Sequence, residues 1–505
     1  MSVLQDQNVL ILGLGASGLA MARWCARQGA QVTVVDTRAE PPQLPALRAA
    51  ISSAVFIHSG FDAALVEGTA VRAVFTSPGL SPQDTQALVT AAQTMGLWVG
   101  GELSLFSQAL ADLKESTQYD PKVLAITGTN GKTTVTSLTG HLVGWAGKSV
   151  VMAGNIGPTL LDTLSLAMDT ETLPEVWVLE LSSFQLDMAT QFEPSAATVL
   201  NVTQDHLDWH GSMAAYAGAK AHIFGQQALM VLNREDPVVM AMLPAPVRAK
   251  LQRPLVRPYV TFGTDMPQRP GDFGLEEVNG MVWLVRALEA DETRKKRKDD
   301  EEELHIQRLM PADALRIRGR HNASNALAAL ALCAAAGCPL GPILFGLREY
   351  HGESHRVESI GILNGVEFFD DSKGTNVGAT VAALRGLGED RKVVLILGGE
   401  GKGQDFSPLA APVARYARAV VLIGRDASLI RAALVQTDVP MVNAESMQAA
   451  VVQAHQRAHA GDAVLMSPAC ASFDMFDNYE HRAQVFCAAV KDLAMTDGVD
   501  MEGIA

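Results

Sequence analysis

The sequence predicts an α/β protein of three domains, near residues 1–101, 102–351 and 352–505. Three observations point there. The chain has 505 residues, room for about three domains of ordinary size. Apolar runs repeatedly empty into Gly-rich or polar turns that open a helical pattern, as parallel strands with crossover helices do. That alternation starts afresh twice, after the polar stretch Glu115–Pro121 and again near Gly352.

Composition narrows the function classes. Apolar content of 48% is ordinary for a globular chain, and the formal net charge of −15 argues against nucleic acid or an anionic membrane as the main partner. Cys25, Cys333, Cys338, Cys470 and Cys487 are scattered without zinc-site spacing, so structural disulfides are not expected and a reducing cytoplasm is. The first residues lack the pattern of a secretory signal. Ala326–Leu347 carries no charge, but Gly337, Pro339, Gly341 and Pro342 interrupt it; a buried helix and a turn are expected there rather than membrane insertion.

In the first domain, Asn8–Leu12 reads as a buried strand leading into Gly13-Leu14-Gly15-Ala16-Ser17-Gly18 and a helix. Gln31–Val35 is the next strand, and Asp36 follows the glycines by roughly 20 residues, the spacing of a dinucleotide fingerprint. The same geometry holds any diphosphate. Asp36 is then placed for a ribose or base edge, with Thr37 and Arg38 at the rim. Ser77-Pro78-Gly79 follows the strand Ala73–Thr76 at the same sheet edge.

The second domain carries the stretch with most chemistry. Val123–Ile126 reads as a buried strand, then come Thr127-Gly128-Thr129-Asn130-Gly131-Lys132-Thr133-Thr134 and a helix. Backbone amides and a helix N-terminus converge at such a turn, and glycine lets a polyphosphate approach. Lys132 reaches the terminal phosphates, and the Thr133 hydroxyl suits Mg²⁺. The common phosphate loop has a further glycine where this chain has Ile126, so the match is a departure from it. Gly154-Asn155-Ile156-Gly157, Glu180 after Val176–Leu179, and His206 after Ala197–Leu200 are expected at strand ends of the same edge. Asn322 and Asn325 share the first turn of an Ala-rich helix, as N-cap residues, as readers of an adenine edge, or as both. Residues 229–310 alternate short strands and turns. The charge run Asp291–Glu303 reads as a solvated hairpin tip.

In the third domain four strands end in polar or Gly-rich turns: Val366–Phe369, Lys392–Leu397, Ala419–Ile423 and Ala463–Met466. They predict another parallel α/β sheet. Lys373, Lys402 and Arg425 form a basic edge suited to an anionic substrate.

Together, TGTNGKTT (127–134), GNIG (154–157), LELSSFQL (179–186), NVTQDHLD (201–208), HNASNALAALAL (321–332), DDSKGTN (370–376) and SPACASFD (467–474) resemble the Mur ligase superfamily, in its branch that adds D-glutamate. The resemblance implies a Rossmann-like UDP-binding domain, a central P-loop-type ATPase α/β domain and a C-terminal Rossmann-like α/β domain. It implies ATP-dependent ligation of D-glutamate to UDP-N-acetylmuramoyl-L-alanine in cytoplasmic peptidoglycan precursor synthesis, by a monomer. Gly128, Thr129, Asn130, Gly131, Lys132, Thr133, Thr134, Asn325, Arg356 and Asp371 would hold ATP. Ala16, Ser17, Asp36, Thr37, Arg38, Gly79, Asn155 and His206 would hold the UDP-linked substrate, and Thr375, Lys402, Ser472, Phe473 and Tyr479 D-glutamate. Lys132, Glu180, His206 and Lys220 would be catalytic. Two Mg²⁺ ions would take Thr133, Glu180, His206 and Lys220, the last as a carbamate. The C-terminal domain is expected to close over the central one.

Other readings make distinguishable predictions. A nicotinamide-dependent dehydrogenase uses Gly13–Asp36 but leaves Gly128–Thr134 idle. A neighbouring ligase with another amino acid shares the ATP loop, and LELSSFQL and SPACASFD argue against it. A non-enzymatic nucleotide-binding scaffold predicts that Lys132→Ala leaves function intact.

Overall fold

The computed structural model describes residues 3–246, 256–290, 304–317, 319–388, 391–499 and 501. The charge run at 291–303 lies outside the described residues. Three sheets organise the chain. The first joins β1 (Asn8–Leu12), β2 (Gln31–Asp36), β3 (Val55–His58), β4 (Val71–Thr76) and β5 (Trp98–Gly100) in the order β3-β2-β1-β4-β5, all parallel. Order reverses on either side of β1, which opens a crevice at the carboxyl ends of the strands.

The central sheet comprises β6 (Lys122–Thr127), β7 (Val150–Gly154), β8 (Val176–Glu180), β9 (Ala196–Val199), β10 (Leu229–Asn233), β11 (Tyr259–Phe262), β12 (Phe273–Val278), β13 (Met281–Glu289) and β14 (Leu304–Pro311). The order is β14-β13-β12-β11-β10-β9-β6-β8-β7. Strands β6 to β11 pair in parallel and are nearly continuous apolar runs because helices cover both faces. Helices Lys132–Trp145 and Arg320–Ala335 share one core with Leu124, Ile126 and Val178, while Trp177 faces a second core on the opposite side. The β12–β13 hairpin turns at Asn279-Gly280, both at positive φ, as a tight two-residue turn between antiparallel strands requires.

The third sheet orders β15 (Glu358–Leu363), β16 (Val366–Asp370), β17 (Val393–Gly398), β18 (Ala417–Ile423), β19 (Met441–Asn443) and β20 (Ala463–Met466) as β15-β16-β20-β17-β18-β19. It departs from the four parallel strands expected: β19 extends one side, and β15 adds an antiparallel edge through the Asn364-Gly365 turn. Among the described residues, no helix is long and apolar enough to cross a membrane.

Candidate functional site

Four parallel strands of the central sheet deliver their carboxyl ends to one edge. Strand β6 ends in the glycine turn. Gly128 lies at φ 159° and Gly131 at φ 83°, and Gly131 caps the helix that begins at Lys132. A Cβ on Gly131 would stand 2.9 Å from Asn325 Oδ1. The predicted result of Gly131→Ala is a stability loss of about 1 kcal/mol from the left-handed backbone and a KM for ATP raised several-fold, read by denaturant unfolding and initial rates.

Lys132 folds back on its own turn, donating from Nζ to Gly128 O and Thr129 O at 2.9 Å each. Burial pushes its ammonium down, and the Glu180 carboxylate opposes that. Glu180 closes β8 at 2% exposure. Its Oε1 accepts from Asn155 Nδ2 at 2.8 Å, while its Oε2 is buried with no hydrogen-bond partner. A lone acidic oxygen aimed into a polar cleft fits a cation, and Thr133 and His206 line the same cleft.

His206 follows β9 in the left-handed region at φ 53°, 3.6 Å from Asp205, and burial pushes its imidazolium down. Lys220 sits on the helix Met213–Ala221 at 1% exposure, donating to Gly128 O at 2.9 Å, with Nζ 4.6 Å from the Tyr216 ring centroid. Burial first, then the Lys132 charge, hold its amine well below the usual lysine range. Asn325 and Asn322 are bonded to each other at 3.1 Å. They do not cap the helix, as one reading of the sequence had it; Gly319 does, and the two amides lie inside the first turns, facing a cavity.

The third sheet turns its own carboxyl edge towards this one. Loops after β16, β17 and β20 bring Thr375, Lys402, Ser472, Phe473 and Tyr479 into an open cleft of about 830 Å³ with Thr129–Thr133, Asn155, Glu180 and His206. A neighbouring cavity of about 120 Å³ is lined by Asn130, Gly131, Thr134, Asn325, Arg356 and Asp371. Burial pushes the Asp371 carboxyl up to about 7, although Ser467 Oγ donates to it at 2.6 Å. Two contacts join the sheets at the glycine turn: Arg356 Nη2 to Thr133 Oγ1 at 2.7 Å, and Asn376 Nδ2 to Asn130 Oδ1 at 3.2 Å.

The remaining expected residues lie apart, at the crevice of the first sheet. Asp36 is 2% exposed, and both its oxygens are engaged: Leu14 N donates to Oδ2 at 2.7 Å, and the Arg38 guanidinium grips both. Arg38 first among its neighbours holds the carboxyl at about 2. Asp36 therefore stiffens the Gly13–Gly18 turn, with Thr37 and Arg38 beside it. Ser77 Oγ, two residues before Gly79, donates to Gly13 O at 2.9 Å. Trp209 Nε1 reaches across to Leu80 O at 3.2 Å, tying this crevice to the loop of His206.

Several residues of the site gave no sequence signal. Arg482, 0% exposed, donates to Cys470 O at 3.0 Å and Ser372 O at 2.7 Å. It pins together the two loops that carry Thr375 and Ser472. Arg482→Met is expected to cost about 2–4 kcal/mol in denaturant unfolding, because two buried carbonyls lose their donor, and to raise KM for the amino-acid substrate more than that for ATP. Asp426 Oδ2 accepts from Gly401 N at 2.7 Å and so holds the loop of Lys402.

Known proteins resemble this chain throughout. The UDP-N-acetylmuramoylalanine--D-glutamate ligase of Albidiferax ferrireducens is 72% identical over 505 residues, covering 100% of both chains. The chain belongs to the Mur ligase family. Family models agree part by part: a Mur ligase MurD-like N-terminal domain at 7–101, a Mur ligase middle domain at 126–333 and a Mur ligase glutamate ligase domain at 355–470. The like-named ligase of Ralstonia nicotianae is 59% identical over 97% of this Mur ligase and 98% of its own length. Among solved structures, the MurF ligase of Thermotoga maritima in complex with ADP aligns with a TM-score of 0.57 at 15% identity, over 98% of this chain and 100% of that one. MurC of the same organism aligns at 0.52 and 19%, over 97% and 100%. At those identities the solved structures show the shared Mur ligase fold.

Proposed function

We propose that this Mur ligase joins D-glutamate to UDP-N-acetylmuramoyl-L-alanine in cytoplasmic peptidoglycan precursor synthesis, converting ATP to ADP and phosphate. The observation that carries the reading is the cleft in which the Gly128–Thr134 turn faces the loops after β16, β17 and β20, with Thr375, Lys402 and Ser472. The names of the full-length relatives support it. The division at 101/102 and 351/352 is part of the reading.

The L-alanyl carboxylate attacks the γ-phosphoryl group of ATP, giving an acyl phosphate and ADP. Lys132 leaves its loop carbonyls and places its ammonium on the transferring phosphoryl group. Asn325, Arg356 and Asp371 hold the nucleotide. The first-domain crevice, with Ala16, Ser17, Asp36, Thr37, Arg38 and Gly79, holds the uridine diphosphate, and Asn155 and His206 the acceptor's reacting end. Thr375, Lys402, Ser472, Phe473 and Tyr479 present the D-glutamate amine, which attacks the acyl carbon and expels phosphate. Mg²⁺ held by Thr133, Glu180, His206 and Lys220, in two ions, would offset charge as two anions approach. Lys220 would serve after its neutral amine takes up CO₂ as a carbamate and releases a proton. Its burial and lowered proton affinity suit that chemistry. Because water would waste the acyl phosphate, the third domain closes on the central one during turnover.

Phosphate release is the direct test. With ATP, Mg²⁺ and the UDP-linked acceptor, D-glutamate is expected to support it and L-glutamate is not. Release with another amino acid instead would move the chain to a different ligase, and NAD binding without ATP consumption would replace the reading.

A further inference from the structure

Small residues of the third-domain helix Val377–Gly388 share the face turned to the central domain: Gly378, Ala379, Ala382, Ala383 and Gly386. The three alanines wall the cavity that also takes in Asn130, Asn322 and Asn325. The two glycines flank them, and each stands too close to the central domain for a Cβ. One on Gly378 would lie 2.9 Å from Thr203 Oγ1 and 3.0 Å from Asn130 Nδ2. One on Gly386 would overlap His321 Nδ1 and lie 2.6 Å from its Cε1. The imidazole is wedged from behind by Gly319, where a Cβ would lie 2.9 Å from His321 Cε1 and from Gly386 Cα. His321 Nδ1 is buried with no hydrogen-bond partner, so the contact is one of shape.

Glycine is a poor helix former, yet Gly386 stands buried inside this helix of 12 residues. What it provides is close approach of one backbone to another segment. Thr375 lies two residues before the helix. Between them, Asn376 Oδ1 accepts from Ala379 N at 2.9 Å, and its Nδ2 donates to Asn130 of the glycine turn at 3.2 Å. One helix thus carries a wall of the nucleotide cavity and the start of a loop of the amino-acid site. We propose that Gly386 is a positioning residue whose missing side chain seats this helix, and the third domain with it, at the distance from His321 that completes both sites. This rests on the ligase reading above. A Cβ at 386 leaves two ways out. The imidazole can swing into the cavity it lines, which disturbs the nucleotide alone, or the helix can back away, which also displaces Thr375. The wedge at Gly319 favours the second.

Steady-state kinetics and thermal unfolding of the whole protein test it. Gly386→Ala is expected to raise KM for ATP and for D-glutamate about tenfold each, and to leave KM for UDP-N-acetylmuramoyl-L-alanine within about twofold. Its unfolding midpoint is expected to hold, because the third domain can back away whole and alanine favours the helix. A purely structural role would lower that midpoint and move all three constants together. Removing the ring removes the obstacle. In the double variant Gly386→Ala, His321→Ala, KM for D-glutamate is therefore expected within about threefold of its value in His321→Ala alone. Should Gly386→Ala fail to fold, Gly378→Ala carries the same pair of shifts from the other end of the helix. A rise for ATP alone, equal shifts in all three constants, no shift, or a double variant no better than Gly386→Ala would each overturn the proposal. Failure of the parent itself to release phosphate would instead remove the ligase reading.

Discussion

Lys132→Met is expected to slow phosphate release by about a thousandfold, the scale seen when one preorganised charge is taken from a transition state. The protein should still fold, because among the described residues the side chain's hydrogen bonds go to two carbonyls of its own turn. KM for D-glutamate should hold, since Lys402 and Ser472 stand on the facing sheet. Rapid-quench measurement of ADP formation, with thermal unfolding as a control, separates a lost chemical step from a lost fold. A Met variant with undiminished turnover would leave the glycine turn as a mere structural feature.

Lys220→Ala should also abolish most activity, for a different reason. Lys220 is buried beside the turn and bonded to Gly128 O, so it cannot reach solvent or a remote substrate group. A bare ammonium is a poor neighbour for both Lys132 and a cation; a carbamate is an acidic oxygen ligand. Short-chain carboxylic acids that enter the gap left by Ala would restore that ligand, so activity is expected to recover in part when acetate or formate is added. The parent should gain nothing from them. Full activity in Lys220→Ala, or a loss indifferent to every added acid, would remove the carbamate from the account. Mass spectrometry under native conditions, with and without CO₂, gives an independent reading.

Local chemistry was legible wherever a buried strand ran straight into a turn. Lys132, Glu180, Asn155 and His206 were each readable because a parallel strand's carboxyl end is where such sheets bind ligands, and the structure sets all four along one edge. The Asn279-Gly280 and Asn364-Gly365 turns were equally local signals for antiparallel hairpins, and heeding the second would have revealed the antiparallel edge strand. The capping of helix Arg320–Ala335 by Gly319 was less visible, because a glycine cap makes no side-chain bond.

By itself the sequence determined the three α/β units, their glycine turns and which polar residues stand at strand ends, since backbone geometry and the apolar period are properties of neighbouring residues. Only the tertiary structure decided how those edges face one another. That Arg356 reaches Thr133, that Arg482 reaches Ser372 from 110 residues away in the chain, and that the Leu161 amide reaches Glu102 depend on packing between distant segments. A buried charge is stable only where several such segments supply its partners at once, and no local stretch of chain records that.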